Sequence, residues 1–139
     1  MRQADLDCAA ITRIRLLPTV PIIAIVDDDE SIRAAMSSLV RSLGYRACVF
    51  CCAEDFLTSP QLNVTSCVIA DVQMPGMNGM ELQEELAVRQ PHIPFIFITA
   101  IAEERIRKRA ETAGAVAFFS KPVDSRALIE CLETALRGR

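Results

Sequence analysis

Ile22-Ile23-Ala24-Ile25-Val26-Asp27-Asp28-Asp29-Glu30 is the stretch on which the fold turns. Five apolar residues without a charge read as a short buried strand, and four acids then stop it abruptly. Ser31–Leu43 follows with Ile32, Met36, Leu39, Val40 and Leu43 on one helical face, and Gly44 closes that helix. A fully apolar strand feeding directly into an amphipathic helix is the unit of a parallel sheet covered on both faces.

The unit recurs along the chain. Arg46–Phe50 reads as strand two and Ala53–Leu57 as a short helix, followed by a polar loop around Pro60. Ser66–Ala70 is strand three, and a loop containing Pro75, Gly76 and Gly79 leads to helix Met80–Arg89. Phe95–Ile98 is strand four and Ala102–Thr112 a highly charged helix closed by Gly114. Val116–Phe119 is strand five, and Asp124 caps a last helix to about Leu136. Five βα units in series predict an α/β, doubly wound, flavodoxin-like parallel sheet with strand order 2-1-3-4-5.

Composition bounds the rest. A chain of 139 residues, 51% hydrophobic, suffices for one domain with a real core. Fifteen basic residues against eighteen acidic ones give a net charge of −3, which argues against direct nucleic-acid binding. No apolar run reaches the roughly 20 residues of a membrane span. Met1–Thr19 is expected to be a leader, disordered or a short helix, with Leu6, Ala10, Ile14 and Leu17 near helical spacing. Asp5, Asp7, Arg13 and Arg15 interrupt any signal-peptide core, so the default compartment is the cytoplasm. The domain proper is expected over residues 20–137.

In an open parallel sheet the carboxyl ends of the strands share one edge, where ligands bind. There the sequence sets Asp27, Asp28, Asp29 and Glu30 after strand one, Asp71 after strand three, Thr99 after strand four and Lys121 after strand five. Four acids after strand one would repel a flavin phosphate but suit a hard divalent cation, for which Mg²⁺ is the usual choice beside phosphate chemistry. Asp29 or Glu30 is expected to cap the next helix instead of holding the ion. An Asp71 carboxylate there can attack phosphorus, although a lone Asp could equally start a turn. Thr99 could donate to a phosphate oxygen or cap the helix that follows. Lys121 is one of only two lysines against 13 arginines, a compact ammonium placed where anionic oxygens gather. Pro122 fixes the turn after it, and a cis bond is allowed there. His92, the only histidine, reads as a solvent-exposed loop residue. Cys48-Val49-Phe50-Cys51 is a C-x-x-C with Cys52 adjacent. A redox or metal role is open to this pair, but the main expectation is structural: Cys48 and Cys67 as small buried strand residues, and Cys51 and Cys52 as free thiols flanking the start of a short helix.

Ile25-Val26-Asp27-Asp28-Asp29-Glu30, Asp71-Val72-Gln73-Met74-Pro75-Gly76-Met77-Asn78-Gly79, Ile98-Thr99-Ala100 and Lys121-Pro122 together resemble the receiver (CheY-like) domain of two-component response regulators. The wording is similar to that of FixJ-type transcriptional regulators, over roughly Pro21 to Leu136. The resemblance implies a signalling phosphoacceptor and not an enzyme in the ordinary sense. Asp71 would take a phosphoryl group from a histidine kinase, while Asp27, Asp28, Asp71 and the backbone carbonyl of Gln73 would hold Mg²⁺. Thr99 and Lys121 would respond to the phosphate, and Phe118 would stand at the family's switch aromatic. The output face would be helix four, strand five and helix five, acting on an output domain or partner, with a phosphorylation-dependent homodimer as one form of output. A FixJ-type regulator would continue into a helix-turn-helix, whereas this sequence ends at Arg139. That leaves a stand-alone receiver or a piece of a longer regulator. Glu103-Glu104-Arg105-Ile106-Arg107-Lys108-Arg109 is unusually charged, and reads as a solvated face or a docking surface.

Two rivals remain. A haloacid-dehalogenase-like phosphatase would use Asp27 as nucleophile, with Asp29, Thr99 and Lys121 in support, but it wants a late acidic pair and only Asp124 follows Lys121. A degenerate receiver serving protein contacts alone would not need all of Asp27, Asp28, Asp71, Thr99 and Lys121.

Overall fold

The computed structural model describes residues 20–137; the expected leader lies outside the described residues. Among the described residues, five strands alternate with five α-helices: β1 (Ile22–Val26), α1 (Glu30–Ser42), β2 (Arg46–Phe50), α2 (Ala53–Leu57), β3 (Cys67–Ala70), α3 (Gly79–Arg89), β4 (Phe95–Thr99), α4 (Glu104–Thr112), β5 (Ala117–Ser120) and α5 (Ser125–Arg137). They form one parallel sheet in the order β2-β1-β3-β4-β5. The chain steps outward from β1 to β2, then returns past β1 to β3. The order therefore reverses between β1 and β3, and a crevice opens at their carboxyl ends.

Both sheet faces are buried, which is why the strands read as uninterrupted apolar runs. Period-two alternation divides each strand between two cores. Ile23, Ile25, Ile69, Ile96 and Ile98 meet Met36 and Val40 of α1 and Leu128 and Leu132 of α5. Ala24, Val26, Val68, Ala70 and Phe97 meet Phe56 of α2, Leu82 and Leu86 of α3 and Ala110 of α4. Full burial of each such Leu, Ile or Phe stabilises by about 1.5–3 kcal/mol. With sandwiching helices on both sides, the strand ends have little freedom to shift, and the groups they carry inherit that rigidity.

Helix ends explain two of the acids. Asp29 is the N-cap of α1, and its Oδ1 accepts from the amides of Ser31 at 2.8 Å and Ile32 at 3.4 Å. Glu30 sits in the first turn, where the macrodipole favours it. Asp29→Ala should cost about 0.5–2 kcal/mol of stability, measured by urea unfolding, while leaving the sheet-edge chemistry in place. Loss of that chemistry in a folded Asp29→Ala protein would contradict the division of roles. Asn78 and Glu81 close the start of α3 with a reciprocal capping box. Gly44 and Gly114, at φ 91° and 103°, end α1 and α4 in the left-handed region that glycine tolerates.

Several local expectations need correction. The polar loop around Pro60 is a 3-10 helix, Pro60–Val64, started by Ser59, whose hydroxyl accepts from Gln61 N. Proline at its first position fixes φ and needs no amide partner there. α4 begins at Glu104, not Ala102, because β4 extends through Thr99 and a turn is needed before the helix. Cys48 is only half-buried, since β2 is an edge strand in which no residue is fully buried; Cys67, on the inner strand β3, is buried as expected.

Candidate functional site

The four strands that carry the expected residues bring them to one edge. Val26 and Ala70 are partners in the β1–β3 register, so Asp27 and Asp71 leave the sheet side by side. Backbone bonds fix both: the Asp27 amide donates to Phe50 O at 3.1 Å and the Asp71 amide to Val26 O at 3.1 Å. Ile98 and Phe119, then Thr99 and Ser120, pair between β4 and β5, and the Lys121 amide donates to Thr99 O at 2.8 Å. Lys121 thus stands across the crevice from the acids, at the cis Lys121–Pro122 bond.

Its ammonium joins them. Lys121 Nζ lies 2.9 Å from Asp71 Oδ2 and 3.0 Å from Asp27 Oδ2. The contact with Asp71 is an aligned hydrogen bond. The contact with Asp27 Oδ2 is an ion pair only by distance: that buried oxygen accepts no aligned hydrogen bond. Asp27 is 1% exposed and Asp71 6%, whereas Asp28 is exposed at the rim of the crevice. Carboxylate oxygens of Asp27, Asp28 and Asp71 come within 4.8 Å of one another. Three carboxylates against one ammonium leave two negative charges in a partly dry crevice, which a divalent cation would neutralise. Together with the unbonded Asp27 Oδ2, this donor set fits Mg²⁺ chemistry.

The titration of the pair follows from its burial. Burial holds the Asp27 carboxyl above the usual carboxylate range, outweighing the Asp29 amide and the Lys121 ammonium, which pull it down. Lys121 is held above the usual lysine range: burial pulls it down, but the Asp71 hydrogen bond and the Asp27 contact more than reverse that. The two directions need not conflict, because Asp27 is far more deeply buried and its desolvation dominates. A raised carboxyl means that the native state keeps a proton the unfolded chain has released. Asp27 therefore weakens the fold progressively as pH rises from the ordinary value of 3.8 through its native value, and the full penalty persists above. Lys121 acts the opposite way at the other end, with its contribution lost as pH climbs past its own raised value. In metal-free buffer at neutral pH, Asp27→Asn is expected to raise Tm by a few degrees, the scale on which about 1 kcal/mol reads in a domain of this size. A lower Tm for Asp27→Asn would contradict a net desolvation penalty.

Of the remaining expected residues, Thr99 ends β4, Gln73 follows Asp71 and Phe118 lies on β5. Thr99 is 1% exposed, and its Oγ1 accepts from the Ile101 amide at 3.2 Å, a local turn that ends β4. It does not cap α4, whose N-cap is Glu103. Gln73 follows Asp71 by two residues, and its amide donates to Asp71 Oδ1 at 3.2 Å. Phe118 points inward, 5.9 Å between ring centroids from Phe97, with the Arg107 guanidinium 5.3 Å above its ring. Arg107 also reaches Glu104 and Glu111 at 3.6 and 3.8 Å, loose surface pairs worth little. His92 is exposed in its loop, as expected.

Three contributors carry no obvious sequence signal. Arg33 of α1 donates to the Asp27 backbone carbonyl at 2.7 Å and pins it from behind. Glu54 of α2 accepts from the Met77 amide at 2.8 Å, anchoring the loop after Asp71, and that bond holds its carboxyl below the usual range. Gly79 begins α3 directly beneath the site: a Cβ there would collide with the Asp71 carbonyl oxygen and come to 3.0 Å from the Phe97 ring. The repeated glycines of the loop hinted at close backbone approach, but not at which glycine makes it.

Known proteins share this arrangement. The family model described as "Response regulator receiver domain" matches residues 23–133. The chain belongs to the response regulator receiver family. The receiver is 39% identical over 117 residues to Nodulation protein W of Bradyrhizobium diazoefficiens, covering 84% of this chain and 52% of that protein. It is 40% identical over 116 residues to Response regulator protein TmoT of Ectopseudomonas mendocina, covering 84% and 53%. With Transcriptional regulatory protein FixJ of Bradyrhizobium diazoefficiens it shares 33% over 116 residues, 83% of this chain and 56% of that one. The chain thus spans about half the length of these relatives. Among solved structures, a CheY-like receiver domain protein from Methanospirillum hungatei superposes with TM-score 0.80 at 28% identity, covering 86% of this chain and 96% of that one. Response regulator StyR gives 0.78 at 39%, covering 86% and 60%. The CheY-like flavodoxin fold and the two-component context are those of the receiver family; no described helix is long and apolar enough to cross a membrane.

Proposed function

We propose that residues 20–137 are a working phosphoacceptor switch, with Asp71 as the residue phosphorylated by a histidine kinase. The observation that carries this reading is the Lys121 ammonium bridging Asp27 and Asp71 beside an otherwise unbonded Asp27 oxygen. In the transfer, an Asp71 carboxylate oxygen forms a bond to phosphorus as the phosphorus–nitrogen bond of the phosphohistidine breaks. The imidazole nitrogen leaves with the electron pair and takes up a proton. Asp27, Asp28, Asp71 and the Gln73 backbone carbonyl would hold Mg²⁺, which supplies charge neutralisation for carboxylates and phosphoryl oxygens brought together.

The chain's own groups do the rest. Arg33, Phe50 and Val26 fix the backbone of the two buried acids, so positioning is built in before any donor arrives. Asp27 and Asp28 position the cation, and Lys121 balances the charge left over. A phosphoryl group on Asp71 adds acceptor oxygens that Lys121 and the Thr99 hydroxyl can answer. Drawing Thr99 Oγ1 away from the Ile101 amide changes the β4–α4 turn, and the Phe118 ring responds beside it. The result is a shift of a pre-existing equilibrium, read on the face of α4, β5 and α5 by an output domain, a protein partner or a second copy in a phosphorylation-dependent homodimer. The protein is a cytoplasmic signalling element that catalyses only its own phosphorylation and dephosphorylation.

Acetyl phosphate with Mg²⁺ tests the reading without a kinase. The expected result is a hydroxylamine-labile phosphoryl adduct in one-to-one yield or less, absent with chelator and absent in Asp71→Ala. Steady release of phosphate that survives Asp71→Ala would favour the Asp27 hydrolase, and a protein inert to the donor would favour a contact-only module.

A further inference from the structure

Cys51 and Cys52 follow β2 directly, where the chain bends before entering α2. Asp55 rises from the first turn of α2 to meet them. The two Sγ atoms and one Asp55 carboxylate oxygen lie within 4.8 Å of one another. The Cys51 thiol donates to Asp55 Oδ2 at 3.6 Å, so these side chains already face each other. Cys51 and Asp55 are exposed and Cys52 is half-buried, which leaves the group open to an arriving ion. Cys48, the other half of the C-x-x-C, is a residue of β2 and not a member of this group. Adjacent cysteines and a carboxylate one turn on make the cluster, not the C-x-x-C spacing.

Two thiolates and a carboxylate are ligands of zinc-like chemistry. Zinc takes sulfur at about 2.3 Å and carboxylate oxygen at about 2.0–2.2 Å, in tetrahedral sites whose fourth position can be water. Small side-chain rotations would close the three atoms to those distances. Hard cations prefer all-oxygen sites, so this cluster and the Asp27–Asp28–Asp71 crevice would sort ions by softness.

We propose that Cys51, Cys52 and Asp55 form a binding site for a thiophilic divalent cation of the Zn²⁺ class. Binding replaces two thiol protons, which leave to solvent, and breaks the Cys51–Asp55 hydrogen bond in favour of two metal–sulfur bonds and one metal–oxygen bond. The site adjoins the switch. Phe50, the residue before Cys51, accepts from the Asp27 amide, and Glu54, the residue before Asp55, holds the Met77 amide of the loop after Asp71. A bound cation would pin the turn that carries both attachments. Its existence does not depend on Asp71 being phosphorylated.

Co²⁺ titration of the reduced full chain, followed by absorbance and reversed with Zn²⁺, tests it. One equivalent of Co²⁺ should give a thiolate-to-cobalt charge-transfer band that Zn²⁺ bleaches. Cys51→Ser and Cys52→Ser should each weaken binding about ten-fold or more, since even residues that only orient a ligand have effects on that scale. Asp55→Asn should weaken it in the same direction. Asp71→Asn should keep the band, because Co²⁺ held by carboxylates alone gives none. Cys8→Ser, Cys48→Ser and Cys131→Ser should keep it as well. No band in the wild-type chain, or a band that survives Cys51→Ser with Cys52→Ser, would overturn the proposal.

Discussion

Lys121→Ala is expected to keep its divalent cation and lose its response to phosphorylation. The ammonium touches both buried acids, so its removal leaves two carboxylates with no counter-charge within contact. Breaking a buried pair costs about 3–5 kcal/mol, and partial exposure of the lysine brings the figure here to roughly 2–3 kcal/mol in metal-free buffer. Mg²⁺ becomes the remaining source of positive charge, so its affinity should hold or rise, and calorimetric titration would read that directly. The same variant has no group at β5 to reach a phosphoryl oxygen. Phosphorylated Lys121→Ala should therefore look unphosphorylated when amide exchange is followed over α4, β5 and α5. A full wild-type response in that variant would remove Lys121 from the switch and leave it a structural counter-ion.

Gly79→Ala is expected to produce the largest loss of stability of any single methyl added near the site. Its Cβ would collide with backbone, the Asp71 carbonyl oxygen, and not with the tip of a flexible side chain. Relief requires moving either the start of α3 or the peptide after Asp71, both held by short bonds: Gly79 N to Val72 O at 2.8 Å and the Asn78–Glu81 capping box. Overpacking typically costs 1–3 kcal/mol, and about 3 kcal/mol or more is expected where the clash is with backbone. That corresponds to roughly 10 °C or more in Tm. Because the peptide displaced carries Asp71, phosphorylation should also slow at temperatures where the variant is still folded. A wild-type Tm for Gly79→Ala would mean that α3 docks more loosely than the geometry indicates.

Much of this was readable in the chain because the informative signals were strong and local. Apolar runs with abrupt polar ends gave five strands, and strict alternation with helices left one natural sheet order. Since a parallel sheet collects its carboxyl ends at one edge, Asp27, Asp71, Thr99 and Lys121 could be placed together without any contact being known. Asp29 was separable from Asp27 and Asp28 because its position suits a cap. What could not be read depends on partners distant in sequence. Glu54 looks like any first-turn acid, yet its partner is an amide 23 residues on. Arg33 looks like an exposed helix residue, yet it reaches the carbonyl of Asp27. Gly79 is one of two glycines in its loop, and only the packing of α3 against β3 and β4 shows that a Cβ at Gly79 would meet backbone, whereas one at Gly76 would meet the tip of the Glu54 side chain. The thiols differ: C-x-x-C spacing drew attention to Cys48, while the turn from β2 into α2 places Cys51 and Cys52 with Asp55.

The most direct measurement is the position of the phosphoryl group itself. After exposure to acetyl phosphate and Mg²⁺, borohydride reduction converts an aspartyl phosphate to homoserine, and peptide mass mapping then locates it. Homoserine at position 71, with Asp27, Asp28 and Asp29 unchanged, is the predicted result. Homoserine at position 27 would contradict it and make Asp27 the nucleophile.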